Sequence, residues 1–237
     1  MASVLAKKGY AGSYVESVQR RLNKALTHLS LVPDGKFGTN TENAVIEYQN
    51  KFHLIPDGIV GAFTDAVLFE RSYSRLVRRP DEVYQASPLN CWAAATESWL
   101  STRGDRRKWT QEQLIEGLKE DGGARADGAL KIPAGETLWQ SYVGLRPIAK
   151  AASEFFAETA ANRMSANGPL MVGYKPAGGA VGHVEVMWGT TIHKGEPAVV
   201  TMDPLRKASH MKVIRISELH AMSGRVTTWM PAVPTLH

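Results

Sequence analysis

Cys91 is the only cysteine in the 237 residues, and its surroundings favour a nucleophile over a small buried apolar side chain. Asn90 precedes it as a candidate helix cap, and apolar residues recur at helical spacing over 92–100. A thiol in the first turn of a helix has its thiolate stabilised by the helix dipole and by free N–H groups. Gln85 lies six residues upstream, where its amide N–H can point at the oxygen of a carbonyl under attack.

A thiol nucleophile needs a base within hydrogen-bond reach and a third group that orients the base. His183 opens an apolar strand pattern after a glycine-rich turn, and Asp203 closes a later one. The chain order Gln85, Cys91, His183, Asp203 therefore contains a complete set for acyl transfer. Glu185 lies two residues beyond His183 on the same strand face and is a rival for the orienting role.

The elements that must position these residues change in type along the chain. Helical patterns cover 91–102, 111–120 (with Thr110 as a cap) and 152–166, and a glycine-rich loop covers 121–135. Strand patterns follow at 170–175, 183–192, 198–204, 211–216 and 225–230. Helices followed by antiparallel strands predict an α+β fold.

An internal repeat marks a separate module at the start of the chain. "VPDGKFGTNTENAV" (32–45) and "IPDGIVGAFTDAVL" (55–68) share Pro-Asp-Gly, a following glycine and a threonine. Pro-Asp-Gly predicts a tight turn, with Gly35 and Gly58 at positive φ. With apolar stripes on either side, the pattern predicts three short helices that end near Leu68. We predict that residues 69–80 form a charged connector that is partly helical.

This repeat resembles the peptidoglycan-binding domain found beside many cell-wall hydrolases. The matching segments are "VQRRL" (18–22), "DGKFGTNTENAVIEYQ" (34–49) and "DGIVGAFTDAVL" (57–68), with tyrosine in place of the usual phenylalanine at 48. The resemblance implies that the module binds peptidoglycan. The residues that it assigns to binding are Asp34, Phe37, Thr41, Tyr48, Gln49 and Asp57.

The second part of the chain, over about 81–232, resembles the papain-like cysteine peptidases. The resemblance rests on the glutamine-to-cysteine spacing, the Cys-Trp pair, "GHVEVMWG" (182–189) and the acid at a later strand end. It implies Cys91 as nucleophile, His183 as base, Asp203 as orienting residue, and Gln85 with the Cys91 N–H as oxyanion donors. The residues before the cysteine and the short cysteine-to-histidine distance differ from the lysosomal members, and they indicate the compact bacterial branches of the superfamily.

Composition excludes several classes of protein. No apolar run could span a membrane, no secretory signal is evident, and one cysteine forms no internal disulfide. The net charge is +5 and the isoelectric point about 9.3, which favours anionic partners such as a cell wall, although most of this charge reads as solvated surface. We predict no specific nucleic-acid partner, no cofactor and no metal, because no metal-ligand spacing or phosphate-binding loop is present.

These observations predict a peptidoglycan-binding-like helical domain at 1–70, a linker at 71–80 and a papain-like domain at 81–237. The expected function is a cysteine-dependent amide hydrolase that cleaves peptidoglycan peptides, as a lysin or as an interbacterial toxin with an immunity protein. It would be made in the bacterial cytoplasm and reach the wall of a target cell by lysis or a secretion system. Two alternatives stay open: a papain-like protease effector that cleaves a specific protein in a recipient cell, and a binding protein with an inactive catalytic domain.

Overall fold

The computed structural model describes residues 4–103, 109–174, 182–205, 211–221 and 225–231. The helices are α1 (Ser13–Ala25), α2 (Thr39–Lys51), α3 (Ala62–Leu68), α4 (Cys91–Ser101), α5 (Gln111–Glu120), α6 (Ala134–Val143), α7 (Ala157–Asn167) and α8 (Ile216–Ala221). The strands are β1 (Val4–Ala6), β2 (Val60–Gly61), β3 (Ser74–Leu76), β4 (Leu145–Ala151), β5 (Leu170–Tyr174), β6 (His183–His193), β7 (Glu196–Met202), β8 (Met211–Arg215) and β9 (Arg225–Pro231).

The first Pro-Asp-Gly turn is held in place by a buried glutamine of α1. Gln19 Nε2 donates to Asp34 Oδ1 at 2.9 Å, to the Lys36 carbonyl at 3.0 Å and to Thr41 Oγ1 at 3.1 Å. Its Oε1 accepts the Gly35 N–H at 3.0 Å, and Gly35 has the predicted positive φ of 70°. One amide side chain thereby ties the turn to the start of α2.

The second turn repeats this arrangement around Gln49 of α2. Its Nε2 donates to Asp57 Oδ1 and to the Ile59 carbonyl, both at 2.9 Å, and to Thr64 Oγ1 at 3.3 Å. Its Oε1 accepts the Gly58 N–H at 2.9 Å, and the φ of Gly58 is 72°. The sequence repeat is therefore a repeat of one structural device, in which a buried amide satisfies the polar groups of a tight turn.

The second part of the chain is built on an antiparallel sheet with strand order β4–β9–β5–β6–β7–β8. Helices α4, α5 and α6 come before β4, and α7 lies between β4 and β5. The predicted α+β class, with a helical N-terminal domain followed by a domain of helices and antiparallel strands, is confirmed.

Several elements differ from the sequence-based prediction. The connector at 69–80 is not helical where it was expected to be so: β3 pairs with the second half of β6, with Arg75 opposite Thr190. The helix predicted at 152–166 begins later, at Ala157, after a 3₁₀ turn. Helix α6 and strand β4 were not predicted. A three-residue strand such as β3 has too few residues to show a period, so only the long partner strand reveals it.

Two apolar clusters hold the helices and strands together. One joins α4, α5 and α6 to one face of the sheet, through side chains such as Trp99, Leu114, Trp139 and Met202. The other is continuous from the core of the N-terminal module into α7, α8 and the sheet. The module is therefore packed against the sheet domain rather than joined to it only by the chain. In the described part of the chain, no helix has both the length and the apolar character needed to cross a bilayer.

Candidate functional site

Cys91 is the first residue of α4, as the sequence predicts, but the helix is not capped as expected. The side chain of Asn90 makes no capping hydrogen bond; it packs against Gly128, and only its carbonyl accepts the N–H groups of Ala93 and Ala94, both at 3.1 Å. Among the described residues, the N–H of Cys91 has no hydrogen-bond partner. This N–H is therefore available at the start of the helix, beside the thiol.

The structure brings Cys91, His183 and Asp203 together. His183 is the first residue of β6, and its Nε2 lies 2.7 Å from Asp203 Oδ1. Asp203 immediately follows β7, so the pairing of two neighbouring strands places it beside the imidazole. Cys91 and His183 line the same cleft, and the interaction with the Cys91 thiol contributes to a raised pKa of His183. Because Nε2 faces the carboxylate, Nδ1 is the ring nitrogen left for the thiol.

The charges around His183 favour its protonated form. Burial lowers the pKa of His183, but the hydrogen bond with Asp203, the interaction with the Cys91 thiol and the charge of Glu185 outweigh it and raise the pKa to about 9. Burial opposes ionisation of Asp203 too, yet hydrogen bonds from His183 and Lys212 hold its pKa well below the usual range. At neutral pH the site therefore holds an imidazolium and a carboxylate.

Glu185, the predicted rival of Asp203, lies behind the imidazole rather than in the orienting position. Its Oε1 is 3.6 Å from His183 Nε2, against 2.7 Å for Asp203. The ligand atoms of His183, Glu185 and Asp203 lie within 4.8 Å of one another, a spacing that could hold a metal ion. However, the Lys212 ammonium already contacts both carboxylates, so a cation of the protein occupies this position.

Gln85 is buried, and its loop is tied to the residue that follows Asp203. Its backbone N–H donates to the carbonyl of Pro204 at 3.0 Å, and its side-chain amide donates to the carbonyl of Ser87 at 2.8 Å. An amide group carries two hydrogens, so one remains for a substrate oxygen. Its role as an oxyanion donor stays a prediction.

A cleft of about 280 Å³ opens beside Cys91 and His183. Three tryptophans line it, Trp92, Trp139 and Trp229, and all three also belong to the buried apolar cluster of α4, α5 and α6. The glycine-rich loop forms another wall through Ala129, Leu130 and Ile132, and Glu136 and Arg225 contribute charge. No pattern in the sequence distinguishes these three tryptophans from the others, because the cleft forms only when α4, α6 and β9 meet.

The residues that the sequence assigned to peptidoglycan binding fall into two groups. Phe37, Thr41, Tyr48 and Gln49 are buried in the module, so as they stand they support its fold rather than offer a contact surface. Asp34 and Asp57 are exposed. Asp57 also borders a cavity of about 430 Å³ between the module and α7. Wall binding by these residues stays a prediction.

Comparison with protein families matches both parts of the chain. A family model described as "Papain-like cysteine protease AvrRpt2" covers residues 76–216, more than half of the chain. The chain belongs to this family of papain-like cysteine proteases. The protease is therefore a hydrolase, as predicted. Residues 11–68 match the model of a peptidoglycan binding domain, which confirms the predicted resemblance of the N-terminal module.

Individual relatives match different shares of the chain. A Bacillus licheniformis protein named "Probable N-acetylmuramoyl-L-alanine amidase" is 32% identical over 103 residues, which are 40% of this chain and 29% of that protein. The match thus spans less than a third of the relative's length. Among solved structures, UfSP from C. elegans is similar with a TM-score of 0.43 and 13% identity, over 68% of this chain and 34% of that one. A structure of the mite allergens Blo t 1 and Der p 1 gives the same TM-score and identity, over 94% and 96%.

Proposed function

We propose that this protease cleaves amide bonds in the peptides of the bacterial cell wall. The observation that carries the proposal is the Cys91–His183–Asp203 arrangement at an open cleft, on a chain that also holds a peptidoglycan binding domain. A module that holds the enzyme on the wall raises the local concentration of wall peptides at the cleft. The partial identity with the protein named "Probable N-acetylmuramoyl-L-alanine amidase" supports the same substrate class.

The geometry gives each residue a step in acyl transfer. The Cys91 thiolate adds to the carbonyl carbon, and the His183 imidazolium gives its proton to the leaving amine as the C–N bond breaks. Water then adds to the thioester while His183 takes its proton, and the C–S bond breaks to release a carboxylic acid and the thiolate. Asp203 holds the imidazole by Nε2 throughout, so Nδ1 carries the proton between the thiol and the substrate.

Negative charge on the substrate oxygen requires donors near Cys91. The free N–H of Cys91 is one, and the remaining amide hydrogen of Gln85 is the other that we assign. Fixed donors of this kind stabilise the tetrahedral intermediate without reorganisation.

A lysin released at lysis and a toxin delivered into a competitor, with an immunity protein as its partner, would both use this chemistry. In either case we propose that the protease acts in the wall or periplasm of a target cell. The second candidate is cleavage of a specific protein in a recipient cell. The catalytic family model favours it, because that model describes a protease rather than a wall amidase.

Digestion of purified bacterial sacculi by wild type and by Cys91→Ala tests the proposal. Mass spectrometry of the soluble fragments should show new amine and carboxyl ends with wild type only, and these ends identify the bond. Release by both proteins would remove Cys91 from the mechanism. Intact sacculi, together with labelling of Cys91 by a thiolate probe, would refute the wall substrate and favour the protein substrate.

A further inference from the structure

Behind His183, the sheet holds two charged residues, Glu185 and the partly buried Lys212, that the acyl-transfer steps do not use. Glu185 is fully buried, and its Oε1 receives hydrogen bonds from Lys212 Nζ and from the Tyr174 hydroxyl. Lys212 Nζ also lies 2.9 Å from Asp203 Oδ2 and 3.0 Å from the Tyr174 hydroxyl. The ammonium is thus held between the two carboxylates.

The register of the sheet sets this arrangement. Tyr174 of β5 lies opposite His183 of β6, and Glu185 follows two residues later on the same strand face. Lys212 of β8 pairs with Thr201 of β7, two residues before Asp203. Four neighbouring segments therefore contribute one group each to the cluster, and none of the contacts is local in sequence.

The two oxygens of Asp203 have separate tasks. Oδ1 accepts from the Leu205 N–H at 3.0 Å and faces His183 Nε2, while Oδ2 faces Lys212. A carboxylate bound at both oxygens cannot rotate about its side chain without losing a charge-assisted hydrogen bond. The cation also offsets the cost of burying Glu185, since a buried carboxylate without a cation is strongly unfavourable.

We propose that Lys212 and Glu185 are positioning residues of the thiol–imidazole pair: Lys212 holds the outer oxygen of Asp203, and Glu185 holds Lys212. The inference concerns the site of the proposed function and rests on the roles given there to Cys91 and His183. It adds to them a charge balance, because two carboxylates and one ammonium leave a single negative charge beside the imidazole.

The proposal predicts the direction of change for each charge that is removed. The charged and titratable groups around the imidazole come from every neighbouring element: Cys91 of α4, Glu136 of α6, Tyr174 of β5, Glu185 of β6, Asp203 after β7, Lys212 of β8 and Arg225 of β9. Glu185→Gln removes a negative charge near His183, so the pKa of the imidazolium should fall. Lys212→Met removes a positive charge near His183, so this pKa should rise. The double variant restores the wild-type balance.

The test is the rate at which iodoacetamide alkylates Cys91 in the full chain, measured against pH. Cys91 is the only cysteine, so the signal has one source, and the assay needs no wall substrate. The upper pH step of this profile reports loss of the imidazolium. We expect it to rise by about one pH unit in Lys212→Met, to fall by about one unit in Glu185→Gln, and to lie within about half a unit of wild type in the double variant.

Lys150→Met is the matched control, since Lys150 forms only an exposed pair with Glu154 at 3.8 Å and should leave the profile unchanged. Thermal melts identify any variant that fails to fold. If Lys212→Met is such a variant, the comparison of Glu185→Gln with the double variant tests the proposal. Single-variant profiles that match wild type, or that shift in the same direction, overturn the proposal. If wild type cleaves no sacculi while the predicted shifts appear, the wall substrate is wrong and the positioning roles stand.

Discussion

Replacing Asp203 by asparagine removes the negative charge beside the His183 imidazole. The asparagine keeps a side-chain oxygen that can accept the hydrogen bond from the imidazole N–H. His183 Nε2 lies 2.7 Å from Asp203 Oδ1, and the centres of the two delocalised charges lie about 4 Å apart. At an effective dielectric constant of about 20, their attraction is about 4 kcal/mol, which corresponds to about three pKa units. Part of this attraction offsets the burial of both groups, so we expect the pKa of His183 to fall by about one to three units in Asp203→Asn.

The sign of the pH dependence follows from the raised pKa of His183. In wild type the imidazolium is present below about pH 9 and is lost above it, so the basic limb of kcat/KM should lie near 9. In Asp203→Asn the basic limb should lie between about 6 and 8, and the ratio of variant to wild-type kcat/KM should approach one as the pH falls.

Sacculus fragment release and Cys91 alkylation both measure this limb. Asp203→Ala is the comparison variant, because it removes the hydrogen bond as well as the charge, and its rate should be lower at every pH. A basic limb that stays at the wild-type position in Asp203→Asn, with a uniform loss of rate, would refute the electrostatic reasoning. It would leave Asp203 with a steric role alone.

Three further predictions concern other parts of the molecule. Gln85→Ala should lower kcat by about 10²–10³-fold without abolishing turnover, as measured against Cys91→Ala, because one oxyanion donor is lost. Gly128→Ala should lower the melting temperature and the alkylation rate more than Gly122→Ala: both glycines have positive φ, but only at Gly128 would the new Cβ overlap with a neighbouring side chain. His53 Nδ1 and His220 Nδ1 meet at 3.0 Å between the module and α8, and burial, helped by His53, lowers the pKa of His220. Stability from this contact is therefore present above the ordinary histidine pKa and lost as the pH falls. Between about pH 7 and about pH 5, the melting temperature of wild type should decrease more than that of His220→Gln. Equal decreases would exclude the contact as the cause.

The N-terminal module shows how far a local pattern can be read. Gly35 and Gly58 stand where a turn needs positive φ, and the structure has it at both positions. The binding assignment for the same segment went further than the pattern allows. Gln49 and Thr41 recur in sequence because a buried amide and a hydroxyl hold the turn and the helix start, and a recurring residue does not reveal whether its side chain faces a ligand or the core.

The three residues that meet at the cleft could be named from sequence because their signals are local. Cys91 lies at a helix start, His183 at a strand start and Asp203 at a strand end, and each of these positions follows from period and turn chemistry. Capping by Asn90 was wrong in detail, since the tertiary contact with Gly128 takes its side chain away from the helix.

The sequence by itself determined the α+β class, the internal repeat and a set of residues able to carry acyl transfer. Only the tertiary structure decided between Asp203 and Glu185 as the orienting acid, because that choice depends on strand register and on the distances of 2.7 and 3.6 Å to one imidazole nitrogen. It also revealed Lys212, whose neighbours in the chain give no sign of a partner. The partly buried ammonium of Lys212 has its role because β6 and the end of β7 bring two carboxylates to it, and pairing of distant strands is a property of the folded chain.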